Sequence, residues 1–332
     1  MAKIRMAQSG TGHGHASGKW LAMKRSDQVE LVGIYEPDPE KRRAAEGRPP
    51  YDGTRWFDSA EQMLGDQDIV AVASEGRNEE SLDQTEAIVE AGKHVWYDKP
   101  AGDNWAQWQR VVRRAEARKL LVQLGYMFRY HRGFSQVTEW ARSGFLGEVF
   151  SVRAHMSTSL TEAARRIISV HRGGILYDLG GHMLDQVVWM LGRPSKVTAF
   201  ARNDSGVVPH FSDNTLGVFE FEKAIAFIDI AATETPPMAR RFEVYGSRGS
   251  AILVEPFEPG RNLRVCLNEA RDGFQKGEQT LHIPPQDRQV LYERELESFL
   301  EAIAGKRAPD RSYAHELLVQ ETLLRATGGI AG

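Results

Sequence analysis

The stretch Ile4-Arg5-Met6-Ala7-Gln8-Ser9-Gly10-Thr11-Gly12-His13-Gly14-His15, near the start of the 332-residue chain, decides the fold. Its first part is a short apolar run typical of a strand, and its glycines allow a tight turn out of that strand. Apolar residues with helical spacing follow at Trp20, Leu21 and Met23. This order of strand, glycine loop and helix predicts the opening of an α/β domain.

The same alternation continues as far as residue 125. Helices are expected over Leu82–Ala91 and around Trp105, Trp108 and Val112. Short strand candidates bounded by Gly, Asp or Pro are Ile4–Gln8, Val29–Tyr35, Ile69–Ala73, His94–Tyr97 and Leu120–Leu124. Strands that alternate with helices predict a parallel, doubly wound sheet over residues 1–125.

After Gly125 the pattern changes to apolar runs separated by turns, with few helices. Helices are expected over Phe134–Ser143, from Asp178 to Leu191, and in a closing pair at about residues 288–327. The strand candidates are Val149–Met156, Lys196–Ala201, Thr215–Phe221, Ile225–Ile230, Phe242–Gly246, Ala251–Val254, Leu263–Cys266 and Thr280–Ile283. Residues 126–332 are therefore predicted to form an α+β domain with a largely antiparallel open sheet and flanking helices.

Composition limits the kinds of partner. The formal net charge is -3 and the pI about 6.4, which provides no basic surface for nucleic acid, so small polar ligands are expected instead. No span of about eighteen apolar residues predicts a membrane segment. Cys266 is the only cysteine, which excludes an intrachain disulfide and favours a reducing compartment. With no signal-like segment after Met1, the expected location is the cytoplasm.

The glycine loop predicts a dinucleotide site, because glycines let the backbone approach a diphosphate at a helix amino terminus. His15 replaces the third glycine of G-x-G-x-x-G, so a plain glycine-rich turn is the alternative. Glu36 ends the second strand about twenty residues further on, where an acid binds the adenosine ribose. This carboxylate favours NAD(H) over NADP(H), unless it merely begins the next helix. His13 and His15 alternate on the loop, and one of them is expected near the cofactor.

Lys99 follows the strand His94–Tyr97 and precedes Pro100, which restricts the lysine to an extended conformation. The ammonium is thereby projected from the carboxyl edge of the sheet, where ligands of such folds bind. It is suited to hydrogen bonding a substrate hydroxyl and favouring its developing negative charge. A solvated surface lysine is the alternative.

The run Gly173-Gly174-Ile175-Leu176-Tyr177-Asp178-Leu179-Gly180-Gly181-His182-Met183-Leu184-Asp185 carries the clearest chemical signal. On a helix, Asp178 and His182 lie one turn apart on the same face. Such a pair can share proton-transfer work in one pocket. The alternatives are a helix cap for Asp178 and a core histidine for His182.

Together these motifs resemble the glucose-fructose oxidoreductase / inositol dehydrogenase family, Gfo/Idh/MocA. The shared pattern covers almost the whole chain: a glycine loop, AGKHV before a lysine-proline pair, and GG-x-L-x-D-x-G-x-H-x-x-D. Further matching positions are Asn78, Gly125-Tyr126, Arg129, Gly147-Glu148, Tyr245-Gly246 and Gly249. The resemblance implies a Rossmann domain, a carboxyl-terminal sheet domain used for dimer or tetramer contacts, and reversible oxidation of a hydroxyl on a sugar or cyclitol.

The resemblance also implies the site residues. The family's catalytic lysine, aspartate and histidine correspond to Lys99, Asp178 and His182. The expected cofactor-binding residues are Gly10, Gly12, His13, Gly14, His15, Glu36, Asn78, Asp98, Lys99 and Pro100. Three departures mark a divergent subgroup: Asp98 replaces the glutamate of Glu-Lys-Pro, Gly76-Arg77-Asn78 replaces Thr-Pro-Asn, and Ser81 stands where histidine is common.

Oxidation of a secondary alcohol needs a base near neutral pH within reach of the hydroxyl, and histidine suits that role. We assign His182 as the general base, Lys99 as the electrostatic partner of the same oxygen, and Asp178 as the group that orients substrate or base. Substrate contacts are expected from Arg129, His155, His171 and Arg172, although each can equally be a surface or packing residue. No histidine or cysteine spacing predicts a metal site.

Three functions remain open from the sequence. The first is an NAD-dependent dehydrogenase of a sugar, sugar derivative or cyclitol. The second is a lyase or glycoside-cleaving enzyme that oxidises C3 transiently with bound NAD, and the third is a non-enzymatic dinucleotide and sugar sensor. The intact set of Lys99, Asp178 and His182 favours the first. The expected partners are a polyhydroxylated small molecule and further copies of the chain, in a homodimer or homotetramer.

Overall fold

The chain divides into two compact units. The computed structural model describes residues 3–253, 256–258 and 260–331. The first unit runs to residue 127 and includes residues 288–317, and the second contains residues 128–287 and the chain from residue 318 onward. Residues 288–317 therefore belong to the first unit, whereas the sequence pattern assigned them to the second domain.

The first unit is an α/β layer structure around a parallel sheet. Its strands and helices are β1 (Ile4–Ser9), α1 (Ala16–Arg25), β2 (Val29–Tyr35), α2 (Pro39–Ala45), α3 (Ala60–Gly65), β3 (Ala71–Ser74), α4 (Ser81–Glu90), β4 (His94–Tyr97), α5 (Trp105–Ala117) and β5 (Val122–Leu124). The strand order is β2-β1-β3-β4-β5, and all of the pairings are parallel. The predicted doubly wound sheet is confirmed.

The carboxyl ends of these strands bring the first set of polar residues to one edge of the sheet. Gly10 follows β1, Glu36 follows β2, Glu75 follows β3 and Asp98 follows β4. Strand β3 is buried along its whole length, as expected for a parallel sheet covered on both faces. This is the edge at which open α/β sheets bind ligands.

The second unit is built on a larger sheet. Its elements are a 3₁₀ turn (Met127–Tyr130), α6 (Arg132–Arg142), β6 (Val149–His155), α7 (Glu162–Ile168), α8 (Ile175–Leu191), β7 (Lys196–Arg202), β8 (Asn214–Glu220), β9 (Ile225–Ala231), β10 (Arg241–Gly246), β11 (Gly249–Leu253), β12 (Asn262–Leu267) and β13 (Gly277–His282). The strand order is β13-β12-β11-β10-β6-β9-β8-β7, and among the described strands of this sheet only the β6–β9 pair is parallel. The predicted largely antiparallel sheet is confirmed, while Val254 lies outside the described residues.

Side chains alternate between the two faces of the large sheet. One face packs against α6 and α8 and buries residues such as Ala154, Ile228 and Val244. On the opposite face, Phe200 of β7 pairs with Leu216 of β8, and Phe200 is 57 % exposed. The second face thus carries apolar side chains that the described helices leave uncovered.

The last two helices are α9 (Arg288–Ile303) and α10 (Tyr313–Thr327). Helix α9 packs on α1, and the approach is so close that a Cβ on Gly18 would lie 2.5 Å from the Tyr292 ring. The Tyr313 hydroxyl accepts a hydrogen bond from the backbone N–H of Val122 at 3.1 Å. These contacts explain why residues 288–317 join the first unit. Among the described helices, none combines the length and apolar character required to cross a membrane.

Candidate active site

The glycine loop, which follows β1, is hydrogen-bonded to the carboxyl ends of β2 and β3, the two strands that flank β1. Gly10 adopts a φ of +85°, and a Cβ there would lie 2.6 Å from the backbone nitrogen of Gly76. The Gly10 N–H donates to the Tyr35 carbonyl at 2.7 Å, and the His13 N–H donates to the Glu75 carbonyl at 2.9 Å. His15 caps α1 without a side-chain hydrogen bond. The loop therefore presents the amino terminus of α1 at the carboxyl edge of the sheet.

Glu36 is buried and bonded to this loop. Its Oε2 atom accepts hydrogen bonds from the N–H and the hydroxyl of Thr11, both at 2.6 Å. Its Oε1 atom accepts the Asp38 N–H at 3.0 Å. Asp38, not Glu36, caps α2, and hydrogen bonds from the N–H groups of Glu40 and Lys41 lower the Asp38 pKa. The acid that follows β2 therefore shapes the loop instead of beginning the next helix.

Lys99 is buried. Its relative exposure is 3 %, so it is not the solvated surface lysine considered as the alternative. Its backbone N–H donates to Asp98 Oδ1 at 2.8 Å, and the Lys99–Pro100 bond is cis. Asn78 lies in the segment between β3 and α4, where its carbonyl accepts a hydrogen bond from the Ser81 hydroxyl at 3.3 Å. All the predicted cofactor-binding positions thus lie at or beside the carboxyl edge of the parallel sheet.

A group of buried ionisable side chains lies directly beneath the glycine loop. Lys19 of α1 is fully buried, with its Nζ 3.0 Å from Glu75 Oε1 and 3.2 Å from Asp98 Oδ2. The same Asp98 oxygen lies 3.3 Å from Nδ1 of His13 and 3.1 Å from Nδ1 of His15. Glu295 of α9 is also fully buried and interacts electrostatically with Lys19. We call His13, His15, Lys19, Glu75, Asp98 and Glu295 the Lys19 cluster.

Burial and pairing shift the pKa values of this cluster in opposite directions. Burial raises the pKa of Glu75 well above its ordinary value and that of Glu295 to about 7. Burial also acts to raise the pKa of Asp98, but His13, His15 and Lys19 hold it well below its usual range. Burial lowers the pKa of His15 to about 4 despite the neighbouring Asp98. At neutral pH the cluster therefore contains an ionised Asp98 and a neutral His15, while burial disfavours the charged form of Glu75.

Three members of the cluster also meet the distance requirements of a metal site. Ligand atoms of His13, His15 and Asp98 lie within 4.8 Å of one another. However, the Lys19 ammonium already contacts the Asp98 oxygen that both imidazoles approach. A metal ion bound there would face that positive charge at close range. Lys19 thus already supplies a cation for this carboxylate.

The sequence reasoning missed Lys19, Glu75 and Glu295. A signal was present for two of them, because each lies within the apolar stripe of its helix. Lys19 is spaced three residues from Ala16 and four from Met23, and Glu295 three from Tyr292 and four from Phe299. An ionisable residue on a buried face requires a partner, and the two helices that carry these residues pack on each other.

In the second unit, Asp178 and His182 lie on α8 as predicted. The helix begins after Gly174, whose φ is +52° and whose Cβ would lie 2.4 Å from the Ser212 carbonyl oxygen. The Ile175 N–H donates to that same oxygen at 2.9 Å. Asp178 is therefore inside the first turn and is not the cap. His182 is buried, with its ring 5.1 Å from that of Phe128 in an edge-to-face arrangement.

The predicted substrate-binding residues have partners within the second unit. Arg129 pairs with the buried Asp185 through Nε at 3.2 Å, and its guanidinium lies 4.3 Å from the Trp189 ring centroid. The His171 ring stacks on Tyr177 at a centroid distance of 4.6 Å. These contacts hold the side chains of Arg129 and His171 in place within the second unit.

His155 and Arg172 are anchored in the same way. Nδ1 of His155 lies 2.5 Å from Asp229, and its Nε2 lies 3.1 Å from Glu234. The hydrogen bond with Asp229, followed by the other carboxylate contacts, raises the His155 pKa despite partial burial. The exposed Arg172 donates to the Gly328 carbonyl at 2.7 Å. His155 is thus favoured as an imidazolium held between two carboxylates.

Comparisons with known proteins give matches to both units of the chain. Residues 4–126 match a family model described as an oxidoreductase family with an NAD-binding Rossmann fold, and residues 134–252 match a GFO/IDH/MocA C-terminal domain model. Inositol 2-dehydrogenase 3 of Saccharopolyspora erythraea is 26 % identical over 70 % of this chain and 68 % of its own length. Trans-1,2-dihydrobenzene-1,2-diol dehydrogenase of Bos taurus is 25 % identical over 71 % of this chain and 69 % of its own.

Solved structures share the whole fold at lower identity. An oxidoreductase from Agrobacterium radiobacter, in complex with NAD+, L-tartaric acid and magnesium, has a TM-score of 0.85 at 17 % identity. The match covers 100 % of this chain and 97 % of that one. The WlbA dehydrogenase from Bordetella pertussis, in complex with NADH and UDP-GlcNAcA, has a TM-score of 0.78 at 17 % identity, covering 98 % and 95 % of the two chains.

We predict that Lys19→Met lowers the free energy of unfolding by about 3–5 kcal/mol, because it leaves the buried Asp98 without its ammonium. Chemical denaturation at pH 7.5 measures this change. The control is Lys24→Met on the same helix, whose ion pair is exposed and whose loss is expected to cost less than about 0.5 kcal/mol. Equal stability of the two variants would contradict the role of Lys19.

Proposed function

Because the chain belongs to the Gfo/Idh/MocA family of NAD-binding oxidoreductases, we propose that it transfers a hydride between a secondary hydroxyl of a sugar, sugar derivative or cyclitol and a nicotinamide cofactor. The observation that carries this proposal is the retention of Lys99 in a buried position after β4, together with Asp178 and His182 one turn apart on α8. The names of two relatives support the substrate class, since inositol and a dihydrobenzene diol are both cyclic compounds with several hydroxyl groups.

The first unit fits a dinucleotide. The amino terminus of α1 has no side-chain cap, and the loop before it approaches the Gly76 backbone so closely that only glycine is accommodated at position 10. Backbone N–H groups at such a helix start can receive a diphosphate. Gly10, Gly12, Gly14 and Glu36 would hold the adenosine and diphosphate part, and Asn78 and Lys99 the part towards the nicotinamide. When bound, the cofactor supplies the hydride acceptor for alcohol oxidation.

The chain's own residues handle the proton and the charge. We assign His182 to take the hydroxyl proton, since an imidazole can accept a proton near neutral pH. The Lys99 ammonium stabilises the negative charge that develops on the hydroxyl oxygen. Asp178, one helical turn from His182, orients the substrate or the imidazole. His171 and Arg172, immediately before α8, are the proposed substrate contacts nearest to this pair in sequence, with Arg129 as a further one. His155 follows Ala154 on β6 and lies on the sheet face opposite α8, so it is not included.

We predict that His182→Asn and Lys99→Met each reduce turnover by about 10²–10⁴-fold, because the proton acceptor or the oxyanion partner is lost. NADH binding is expected to be retained in His182→Asn. A panel of inositols, monosaccharides, uronates and glycosides with NAD+ provides the activity measurement, and NADH fluorescence the binding measurement. His210→Asn is the matched control, since His210 is an exposed histidine of the second unit. Unchanged turnover in His182→Asn would refute the assignment of the base.

The same panel separates the proposal from the two alternatives. A dehydrogenase forms NADH in proportion to the oxidised product. A lyase or glycoside-cleaving enzyme that oxidises C3 transiently consumes substrate without net NADH. A sensor binds the dinucleotide and a sugar but shows no turnover with any compound.

For the cofactor, we propose a preference for NAD(H). Glu36 lies at the end of β2, and Asp38 follows two residues later at the start of α2, so two carboxylates lie where an adenosine 2′-phosphate would bring further negative charge. Two structural neighbours are complexes with NAD+ and NADH, but a third is named a putative NADPH-dependent oxidoreductase, so the proposal depends on the two carboxylates.

We predict that Glu36→Gln raises the affinity ratio of NADP(H) to NAD(H) at least about tenfold, because removal of a carboxylate relieves like-charge repulsion of the 2′-phosphate. Fluorescence titration with NADH and NADPH measures both constants. Glu40→Gln, in the exposed first turn of α2, is the control and is expected to leave the ratio unchanged. Tighter binding of NADPH than NADH by the unaltered protein would overturn the preference.

We further propose that copies of the chain associate through the uncovered face of the large sheet. The support is the exposed Phe200 beside Leu216, with Val218 and Phe227 paired on the neighbouring strands of the same face. Apolar side chains grouped on one sheet face commonly mark an interaction surface.

We predict that the unaltered protein is a dimer or tetramer by light scattering and that Phe200→Glu shifts it towards monomer, since a buried unpaired carboxylate would oppose association. The control Ile167→Glu places the same charge on α7, where Ile167 is 61 % exposed. Its oligomeric state is expected to match the parent. A monomeric parent protein would exclude this interface.

A further inference from the structure

The Lys19 cluster contains more acids than cations. Three buried carboxylates, those of Glu75, Asp98 and Glu295, face one fully buried ammonium, that of Lys19. Full ionisation would leave uncompensated negative charge in the interior, which is strongly unfavourable. The cluster therefore retains an exchangeable proton near neutral pH, on part of the Glu295 population.

Every element packed around the cluster contributes a charged or titratable group. These groups are His13 and His15 from the glycine loop, Lys19 from α1, Tyr51 between α2 and α3, Glu75 after β3, Asp98 and Lys99 after β4, Arg288, Tyr292 and Glu295 from α9, and Arg311 after α9. Arg311 is itself paired with Glu316 at 2.7 Å. The Tyr292 ring lies 5.3 Å from that of His15, which connects α9 directly to the loop.

The cluster lies directly next to the proposed cofactor site, because two of its members belong to the glycine loop. His13 and His15 are members of the glycine loop, and their imidazoles point down onto Asp98. A diphosphate bound by the loop adds negative charge above a buried group that already has an excess of acids. In a medium of low dielectric constant, this added charge raises the proton affinity of every nearby imidazole and carboxylate.

We propose that binding of a dinucleotide to the glycine loop is accompanied by uptake of a proton into the Lys19 cluster, so that the cofactor binds more tightly as the pH falls. The proton comes from solvent and is accepted by the Glu295 carboxylate or by an imidazole nitrogen of His15. The proposal rests on dinucleotide binding alone and is independent of which alcohol is oxidised.

The direction of the pH dependence follows from linkage. Below the pKa of the free protein, both the free and the bound cluster are protonated, and affinity does not vary with pH. At a pH between the pKa of the free protein and the higher pKa of the complex, only the complex holds the extra proton. Uptake of one proton then weakens binding about tenfold per pH unit. Since the free Glu295 carboxyl has a pKa of about 7, the decline is expected above about pH 7.

The test is calorimetric titration of EDTA-treated protein with NADH and, separately, with ADP-ribose. ADP-ribose has the adenosine and diphosphate but lacks the nicotinamide, so a proton taken up near His182 would not be detected with it. Titrations at pH 7.5 in phosphate and in Tris give the proton number, because these buffers have different ionisation enthalpies. We expect uptake of about 0.5–1 proton with both ligands, the fractional value reflecting partial protonation of the free protein.

Glu295→Gln keeps the size of the side chain and removes its titration, so it is expected to lower the proton number and flatten the decline in affinity above pH 7. Its matched control is Glu293→Gln, an exposed carboxylate on the same helix, which is expected to behave like the parent. If Glu295→Gln does not fold, His15→Asn on the loop takes its place. Titration of the parent protein alone shows whether binding takes up or releases protons.

Binding of either ligand with no proton exchange, or with proton release, overturns the proposal. Uptake with NADH but not with ADP-ribose also overturns it, because the proton would then belong to the nicotinamide side. The same holds if Glu295→Gln and His15→Asn both retain the parent proton number. Failure of both ligands to bind contradicts the assigned dinucleotide site itself and is thereby distinguished from failure of the coupling.

Discussion

The ammonium of Lys19 is the interaction on which the carboxyl edge of the first unit depends. It lies 3.0 Å from Glu75 and 3.2 Å from Asp98, and 4.4 Å from the centroid of the Trp96 ring. One side chain of α1 thereby connects the ends of two strands. Since Asp98 also accepts a hydrogen bond from the backbone N–H of Lys99, the chain at Lys99 is positioned by the carboxylate that pairs with Lys19. The glycine loop joins this arrangement through His13 and His15.

The strands of the first unit were predictable from sequence, and for a simple reason. In a parallel sheet covered on both faces, each strand is a short apolar run bounded by polar or glycine residues. The predicted limits of β2 and β4, Val29–Tyr35 and His94–Tyr97, agree with the structure. Helix α8 was predicted from Asp178 and begins at Ile175, because the preceding glycines at positions 173 and 174 turn the chain against Ser212.

Other features depend on contacts between distant parts of the chain. The short helices α3 and α7 lack a long apolar period, and neither was predicted. The partners of His155 could not be read from the sequence, because Asp229 reaches it only through the register of β6 with β9. The residues that follow position 287 join the first unit because α9 packs on α1. Such pairings are set by tertiary packing, which local periodicity does not encode.

The bond between Glu36 and Thr11 has a consequence for how this protein can diverge. The carboxylate that we propose to select the dinucleotide is the same one that accepts hydrogen bonds from Thr11 of the glycine loop. A substitution that alters the choice of dinucleotide also loosens the loop that holds it, so recognition and local order cannot be changed independently at this position. A change of cofactor preference during evolution would therefore disturb the loop less if it occurred at Asp38. Asparagine or serine can replace Asp38 as the cap of α2 without breaking the bond between Glu36 and Thr11.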